Sequence, residues 1–440
     1  MSTTEDFIRT SSESLAAQGV HTLLVQFTDV HGVAKGKLVP LHQLEAVLAT
    51  GAGFAGPSIW GTALGRSGPR AEYYARGDAS TLQPLPWMPG IARIVGDGHV
   101  AGEAFDACPR QVLKRATARL AERGWQLRTG IEPEFFLLKK DGARYVPADD
   151  SDRLDKPSYD LKSLPRQQPF LHALREALEG AGLTVLQTDH EDAHGQYELN
   201  FAYDEALRSA DHVMLFKLAA HALAEREGCV FSMMPKPFAN QPGSGLHFHV
   251  SLWDGARCLF DEGPSMRHFI GGVLEHSAAL CALAAPTVNS YKRLVVGESL
   301  SGTSWAPATI AQGPNNRTAL VRTLAGRFEW RLPDASANPY LATAGLIAAG
   351  LDGIDRGLDP GPDCSDDLFA LDLAEIRRRG IGLLPQSLGA AVDALDASEL
   401  LRGALGDTLH AEFVRLKRAE WTDYARHVSD WEHARYGAMF

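Results

Sequence analysis

The 440-residue chain has no basic tail and no run of basic residues, and its 43 Lys and Arg are outnumbered by 54 Asp and Glu, a formal charge of −11. That balance argues against a nucleic-acid partner. Cysteine is scarce: Cys108, Cys229, Cys258, Cys281 and Cys364 are odd in number, scattered and never in a CxxC pair. A disulfide framework and a zinc–thiolate site are thereby excluded, and a reducing cytoplasm is expected. The first residues, MSTTEDFIRTSSE, are polar and acidic, unlike a secretory signal. The uncharged stretch between Asp334 and Asp352 holds Asn338, Pro339 and two glycines, so it reads as a buried helix rather than a membrane span. Internal repeats and low-complexity tracts are absent. What is present, 45% hydrophobic and 22% charged residues, suffices for a large core and, at this length, for two or three domains.

Residues 1–105 differ from the rest. HTLLVQFTDVHG (21–32) reads as a strand running into a turn, KGKLVPLHQL as its hairpin partner, and LHQLEAVLAT as a short helix stopped by Gly51. This predicts a small α+β domain. CPRQVLKRATARLAERGW (108–125) opens a larger domain, 106–440, with an amphipathic helix that has Pro109 in its first turn and Gly124 at its end. Further helices are predicted over 164–182, over 209–228 with Ser209 as N-cap, and, buried, over 268–286 and 338–354.

Two glycine motifs mislead. GAGFAG (51–56) matches GxGxxG, but a helix precedes it and Pro57-Ser58 follows, the wrong context for a dinucleotide site. GVAKGK (32–37) lacks the spacing and the Ser/Thr of a phosphate loop.

The chemistry lies in strands that alternate charged and apolar residues, which sends the polar groups to one face. GIEPEFFLL carries Glu132 and Glu134. GLHFHVSLW carries His247, His249 and Ser251. GRFEWRLPD carries Arg327, Glu329 and Arg331. HEDAHGQYELNF carries Glu191 and Glu198 across a turn at Gly195. A plain solvent face would mix Thr, Ser, Lys and Gln; these faces hold Glu, His and Arg. Clustered charge is costly unless cations or ligands match it. Five carboxylates with one or two imidazoles suit Mg²⁺ or Mn²⁺ and exceed the needs of a single ion, so two or three are expected. Arg293, Arg317, Arg322, Arg327 and Arg331 add bidentate anion donors. Metal and arginines together fit phosphoryl transfer from a nucleotide to an anionic co-substrate.

EPEFF, HEDAHGQYELNF, PKPF…GSGLHFHVSL, NSYKRL, NNRTALVR and FEWRLPD…NPYLATAGLIAAGLDGI resemble, in order, the motifs of the glutamine synthetase superfamily. GFAGPSIWG, GDAST, DKPSYD and NSYKRLVVGESLSGTSWAP resemble its short bacterial branch, which contains type III glutamate–ammonia ligases and γ-glutamylmethylamide synthetases. The resemblance implies an α+β fold, with a small N-terminal β-grasp domain and a catalytic domain built on a curved antiparallel sheet. It implies a homo-oligomer of stacked rings, a dodecamer, with sites between subunits. It also implies a ligase reaction in which ATP phosphorylates the glutamate γ-carboxylate and an amine attacks the acyl phosphate. Carried over by motif, Glu134, Glu191 and Glu198 hold the metal near glutamate; Glu132, His247 and Glu329 hold the metal on the ATP phosphates. His249, Ser251, Arg322 and Arg327 contact the nucleotide. Gly243, Arg293 and Arg331 hold glutamate. Arg317 and Arg322 stabilise the transferring phosphoryl, Glu191 is the anion that faces a cationic amine, and Glu298 is the nearest flap glutamate.

Three positions depart from the family pattern. Ala55 stands where an ammonium-site Asp is expected, Pro242 stands for an Asn on the glutamate backbone, and Phe369 falls near the Tyr that many bacterial enzymes adenylylate. A carboxylate at 55 would bind ammonium; Ala leaves a small apolar space instead. With Glu191 as the anion, and Tyr159 and Ser58 as lesser contacts, methylamine is the expected acceptor. Ammonia and a larger amine are the alternatives. A non-catalytic relative would not need this intact ligand set.

Overall fold

The computed structural model describes residues 3–297 and 305–440. It opens on a helix absent from the sequence reading, α1 (Thr3–Ala17). β1 (Thr22–Thr28) and β2 (Ala34–Pro40) then form the expected antiparallel hairpin, and α2 (Leu44–Ala49) ends before Gly51. β3 (Ala52–Ala55), β4 (Glu72–Gly77) and β5 (Ile91–Val100) complete the main path of a seven-stranded sheet, ordered β2-β1-β5-β4-β3. β5 lies parallel to β1, with Thr22 opposite Ile91.

α3 (Pro109–Ala121) follows, with its proline in the first turn as expected. The larger sheet has eleven strands. Its path is built from β6 (Trp125–Asp141), β7 (Val185–His190), β8 (Gln196–Phe201), β9 (Leu246–Asp254), β10 (Gln312–Pro314), β11 (Val321–Leu324) and β12 (Arg327–Trp330). The order is β7-β8-β6-β9-β12-β11-β10. Each pair along it is antiparallel except β10 with β11. This is the α+β plan expected, a small sheet joined to a large curved one. Ile131, Phe135, Leu199, Phe248 and Phe328 turn away from the polar face into the core. The apolar face is covered by helices that include α5 (Ala206–Arg226). α4 (Gln168–Gly180) packs on α5, and α8 (Pro339–Arg356), buried along most of its length, packs on α3 and on α6 (Ser265–Glu275). No helix among the described residues is long and apolar enough to cross a membrane.

Two helix expectations are corrected. α5 begins at Ala206, so Ser209 is not its cap; Ser209 Oγ donates to the Thr129 carbonyl of β6 at 2.7 Å instead. The helix expected over 268–286 is interrupted at His276, where α6 gives way to α7 (Ser277–Ala284). His276 Nε2 lies 2.8 Å from Asp352 Oδ2 on α8, so the break is set by a tertiary contact.

A buried ionic network joins the two sheets. Arg110 of α3 donates to Asp97 on β5 at 2.6 Å, to Asp78 at 3.0 Å, and through two nitrogens to Asp211 on α5 at 3.0 and 2.9 Å. Tyr340 donates to Asp211 at 2.7 Å, and Arg93 of β5 reaches the Asp211 carbonyl at 3.2 Å. Asn338 makes a second joint. Its Oδ1 caps α8 by accepting from Tyr340 N at 3.1 Å, and its Nδ2 donates to the Asp29 carbonyl after β1 at 3.0 Å.

Candidate active site

Strand register assembles the site. His247 lies opposite Glu132 across β9 and β6; Glu134 lies opposite Glu198 across β6 and β8; and His249 lies opposite Glu329 across β9 and β12. Asp189 on β7 faces Glu198 in turn, and Arg322 on β11 faces Glu329. Residues directly opposite in a ladder share a face, so one polar face carries the whole set. The tight β7–β8 turn, with Gly195 at φ +72°, brings Glu191 back over it.

Two groups of ligand atoms converge within 4.8 Å: Glu132, His247 and Glu329, and Glu134, Glu198 and His247. The first is the trio expected from the motifs. The second contains His247 where Glu191 was expected; Glu191 lines the same cleft beside it. Gly245 makes this packing possible. Its N–H donates to Glu134 at 2.8 Å, and a Cβ there would meet His247 Nε2 at 2.4 Å.

The electrostatics are unbalanced. Burial pushes the Glu134 carboxyl up to about 7, against a hydrogen bond from Gly245 and the charges of Arg293 and Arg331. Burial and then Glu134 raise Glu191 and Glu198 well above the usual carboxylate range, and burial and Glu132 raise Asp189. Glu329 goes the other way. Burial opposes its charge, but Arg331, His249 and Arg322 outweigh burial and hold it low. Burial, then Arg331 and Arg293, keep His247 far below its ordinary value, as a neutral imidazole able to ligate. Asp189 Oδ1, Asn200 Oδ1 and Arg331 Nε are buried without a partner among the described residues. A carboxylate-rich set with a neutral imidazole and unmatched negative charge fits hard divalent cations.

The cleft, of about 640 Å³, is the centre of three joined compartments. On one side, sharing Glu132 and His249, lies a pocket of about 490 Å³ lined by Leu186, Phe201, Tyr203, Trp253 and Ser251, with Arg327 at its edge. Arg327 Nε approaches His249 Nδ1 at 3.2 Å, and Trp253 donates to Ser251 Oγ at 2.8 Å. On the other side, sharing Glu134, Glu191 and His247, lies a narrow end lined by Gly243, Arg293, Lys236 and Lys292. Arg317, Arg322, Arg331 and Tyr159 line the cleft itself. Arg322 donates to Glu329 at 3.0 Å, and Arg331 binds the same carboxylate.

Two expected positions are not brought together here. Ala55 and Ser58 are exposed beside the small sheet, and neither lines the cleft of the same chain. Glu298 lies outside the described residues. Sequence reasoning also missed several lining residues. Gln196 donates to Glu134 at 3.0 Å and to the Gly243 carbonyl at 3.1 Å, which ties two compartments together. Asp189, Asp192, Lys236 and Trp305 are others. Asp189 was within reach, since it alternates with Glu191 along one segment; Trp305 offered no pattern.

Such a site, with a half-apolar pocket, an acidic centre and a cationic end, fits an enzyme that moves a phosphoryl group from a nucleotide to an anionic substrate. The glutamine synthetase catalytic domain matches residues 106–436. The chain belongs to that family and is a ligase forming C–N bonds. It is 48% identical over 439 residues to a glutamate–methylamine ligase of Methyloversatilis universalis, covering 98% of this chain and 99% of that protein. A glutamine synthetase of Rhizobium meliloti is 37% identical, over 94% of this chain and 96% of its own length. Among solved structures, a GmaS/ADP complex superposes with a TM-score of 0.91 at 39% identity, covering 97% of this chain and 98% of that one.

Proposed function

We propose that the protein is an ATP-dependent glutamate–amine ligase with methylamine as acceptor, working through a γ-glutamyl phosphate. The observation that carries the reaction class is the convergence of Glu132, Glu134, Glu198, His247 and Glu329 between an apolar and a cationic compartment. The likeness to a glutamate–methylamine ligase along nearly the whole chain supports the acceptor.

In this reading ATP places its base in the pocket of Tyr203, Ser251 and Trp253, with His249, Arg327 and Arg322 toward its phosphates. Glutamate enters the narrow end, where Gly243, Arg293 and Arg331 hold it. Glu132, His247 and Glu329 would hold one Mg²⁺ or Mn²⁺ ion, and Glu134, Glu198 and Glu191 one or two more; such ions would neutralise phosphate charge and polarise the γ-phosphoryl group. A glutamate γ-carboxylate oxygen attacks the γ-phosphorus, and ADP leaves. Arg317 and Arg322 offset charge on the transferring oxygens. The amine nitrogen then attacks the acyl carbon, phosphate leaves, and Glu191 takes the amine proton.

We further propose that residues 1–105 and 106–440 are the two functional domains, and that subunits assemble in rings. Assembly would let Ala55 and Ser58 serve a neighbouring cleft, since they do not reach their own. Steady-state kinetics at saturating ATP and glutamate tests the acceptor. A kcat/KM for methylamine above that for ammonium is expected; the reverse order means a glutamine synthetase, the reading favoured by the 37%-identical relatives.

A further inference from the structure

Trp305 has no part in the chemistry above, yet it is tied to both sides of the cleft. Its indole N–H donates to Asp192, the residue after Glu191, and its carbonyl accepts from Arg331 Nη2 at 3.2 Å. The other Asp192 oxygen accepts from Ser158, the neighbour of Tyr159. Trp305 is 45% exposed, so packing alone does not hold the ring. Glu191, Asp192 and Trp305 line both the acidic cleft and its narrow end, so the indole stands at the joint where an acyl carbon and an incoming amine must meet.

Ammonium and methylammonium carry the same charge, and both offer N–H donors. Glu191 answers both alike and discriminates poorly. The difference is one methyl group, which only an apolar surface can reward. Of the described residues lining the cleft, Trp305 and Tyr159 alone present hydrocarbon rings, and a ring face favours both a methyl group and the cation that bears it. We propose that Trp305 is the wall that selects a methyl-bearing amine over ammonia, and that Asp192 is the positioning residue that fixes its orientation. This inference rests on the ligase reading and names the group behind its specificity.

The test compares kcat/KM for methylamine and for ammonium in Trp305→Ala, Trp305→Phe, Asp192→Ala and Asp192→Asn, with KM for glutamate as a control. A methyl-sized apolar contact is worth roughly 10–200-fold in discrimination. Trp305→Ala is expected to lower the methylamine/ammonium ratio about tenfold or more, with glutamate KM within about twofold of wild type. Trp305→Phe keeps a ring and most of the ratio. Asp192→Ala lowers the ratio, and Asp192→Asn, which retains an acceptor for the indole, rescues it. Equal losses for both amines would reduce Trp305 to a structural strut and overturn the proposal. A wild-type enzyme that prefers ammonium overturns the methylamine acceptor; a methylamine preference that survives Trp305→Ala overturns only the wall.

Discussion

The molecule holds two buried charge clusters built from similar side chains, and they are balanced in opposite ways. Between the sheets, Asp78, Asp97 and Asp211 converge on Arg110, with Lys114 on Asp97 at 2.6 Å. Hydrogen bonds from Ser80 and Arg110 there outweigh burial and keep the Asp78 carboxyl below its ordinary range. In the cleft, Arg322 and Arg331 both spend themselves on Glu329. Glu134, Glu191, Glu198 and Asp189 are left with carboxyls pushed up by burial and by one another. Burial is common to both clusters; compensation separates them. Where the chain supplies the counter-charges itself, the cluster joins the two sheets. Where it withholds them, the cluster waits for cations from outside.

That contrast can be broken from either side. Replacing Glu198 with Gln should lower ligase activity about 10²–10³-fold, the scale of losing one well-placed electrostatic group. The metal-free protein should stay at least as stable as wild type, because one of several repelling carboxylates is gone. Assays and thermal melts without divalent ions read both, and a large drop in metal-free melting temperature would make Glu198 structural. Replacing Arg110 with Met should do the reverse. It strands three carboxylates and should cost about 3–5 kcal/mol in urea unfolding, with kcat per folded molecule preserved. A fall in kcat matching the loss of stability would show that the two clusters are not separable.

The smallest effect is a pH dependence. Folding raises the Glu134 carboxyl from its ordinary 4.5 to about 7. Between those values the folded metal-free protein holds a proton that the unfolded chain has released. Its stability should therefore fall as pH rises from about 4.5 to about 7, and the raised Glu191 and Glu198 carboxyls act in the same direction. Saturating Mg²⁺ should remove the slope, because cations favour the ionised form. Urea midpoints between pH 5 and 8, with and without Mg²⁺, check the sign.

The sequence carried most of the site and less of its frame. Glu132, Glu134, His247, His249 and Glu329 were legible because a two-residue period, an apolar opposite face and Gly or Pro at the ends leave few other readings. Register was not legible from any one strand, yet it decides that Glu134 meets Glu198 and that His247 serves both ligand groups. Apart from α1, helix existence read well; boundaries did not. Ser209 looks like a cap by residue type, but its hydroxyl is taken by Thr129 of β6. The break at His276 depends on Asp352, distant in sequence. The parallel pairing of β1 with β5 crosses α2 and three strands and leaves no local trace. Trp305 contributes through a carbonyl and an indole N–H, which no residue pattern announces.

Asn338 ties an early event in synthesis to a late one. The turn after β1 receives its hydrogen bond from a side chain 309 residues further on, the same side chain that starts α8. At a synthesis rate of about 5–20 residues per second, that interval is roughly 15–60 s. For that time the first hairpin is complete but has no helix to dock on. Val30, which is buried in the finished fold and whose carbonyl accepts from the same amide at 3.3 Å, lacks that cover until then, so the yield of this protein should depend on how fast its last third is made.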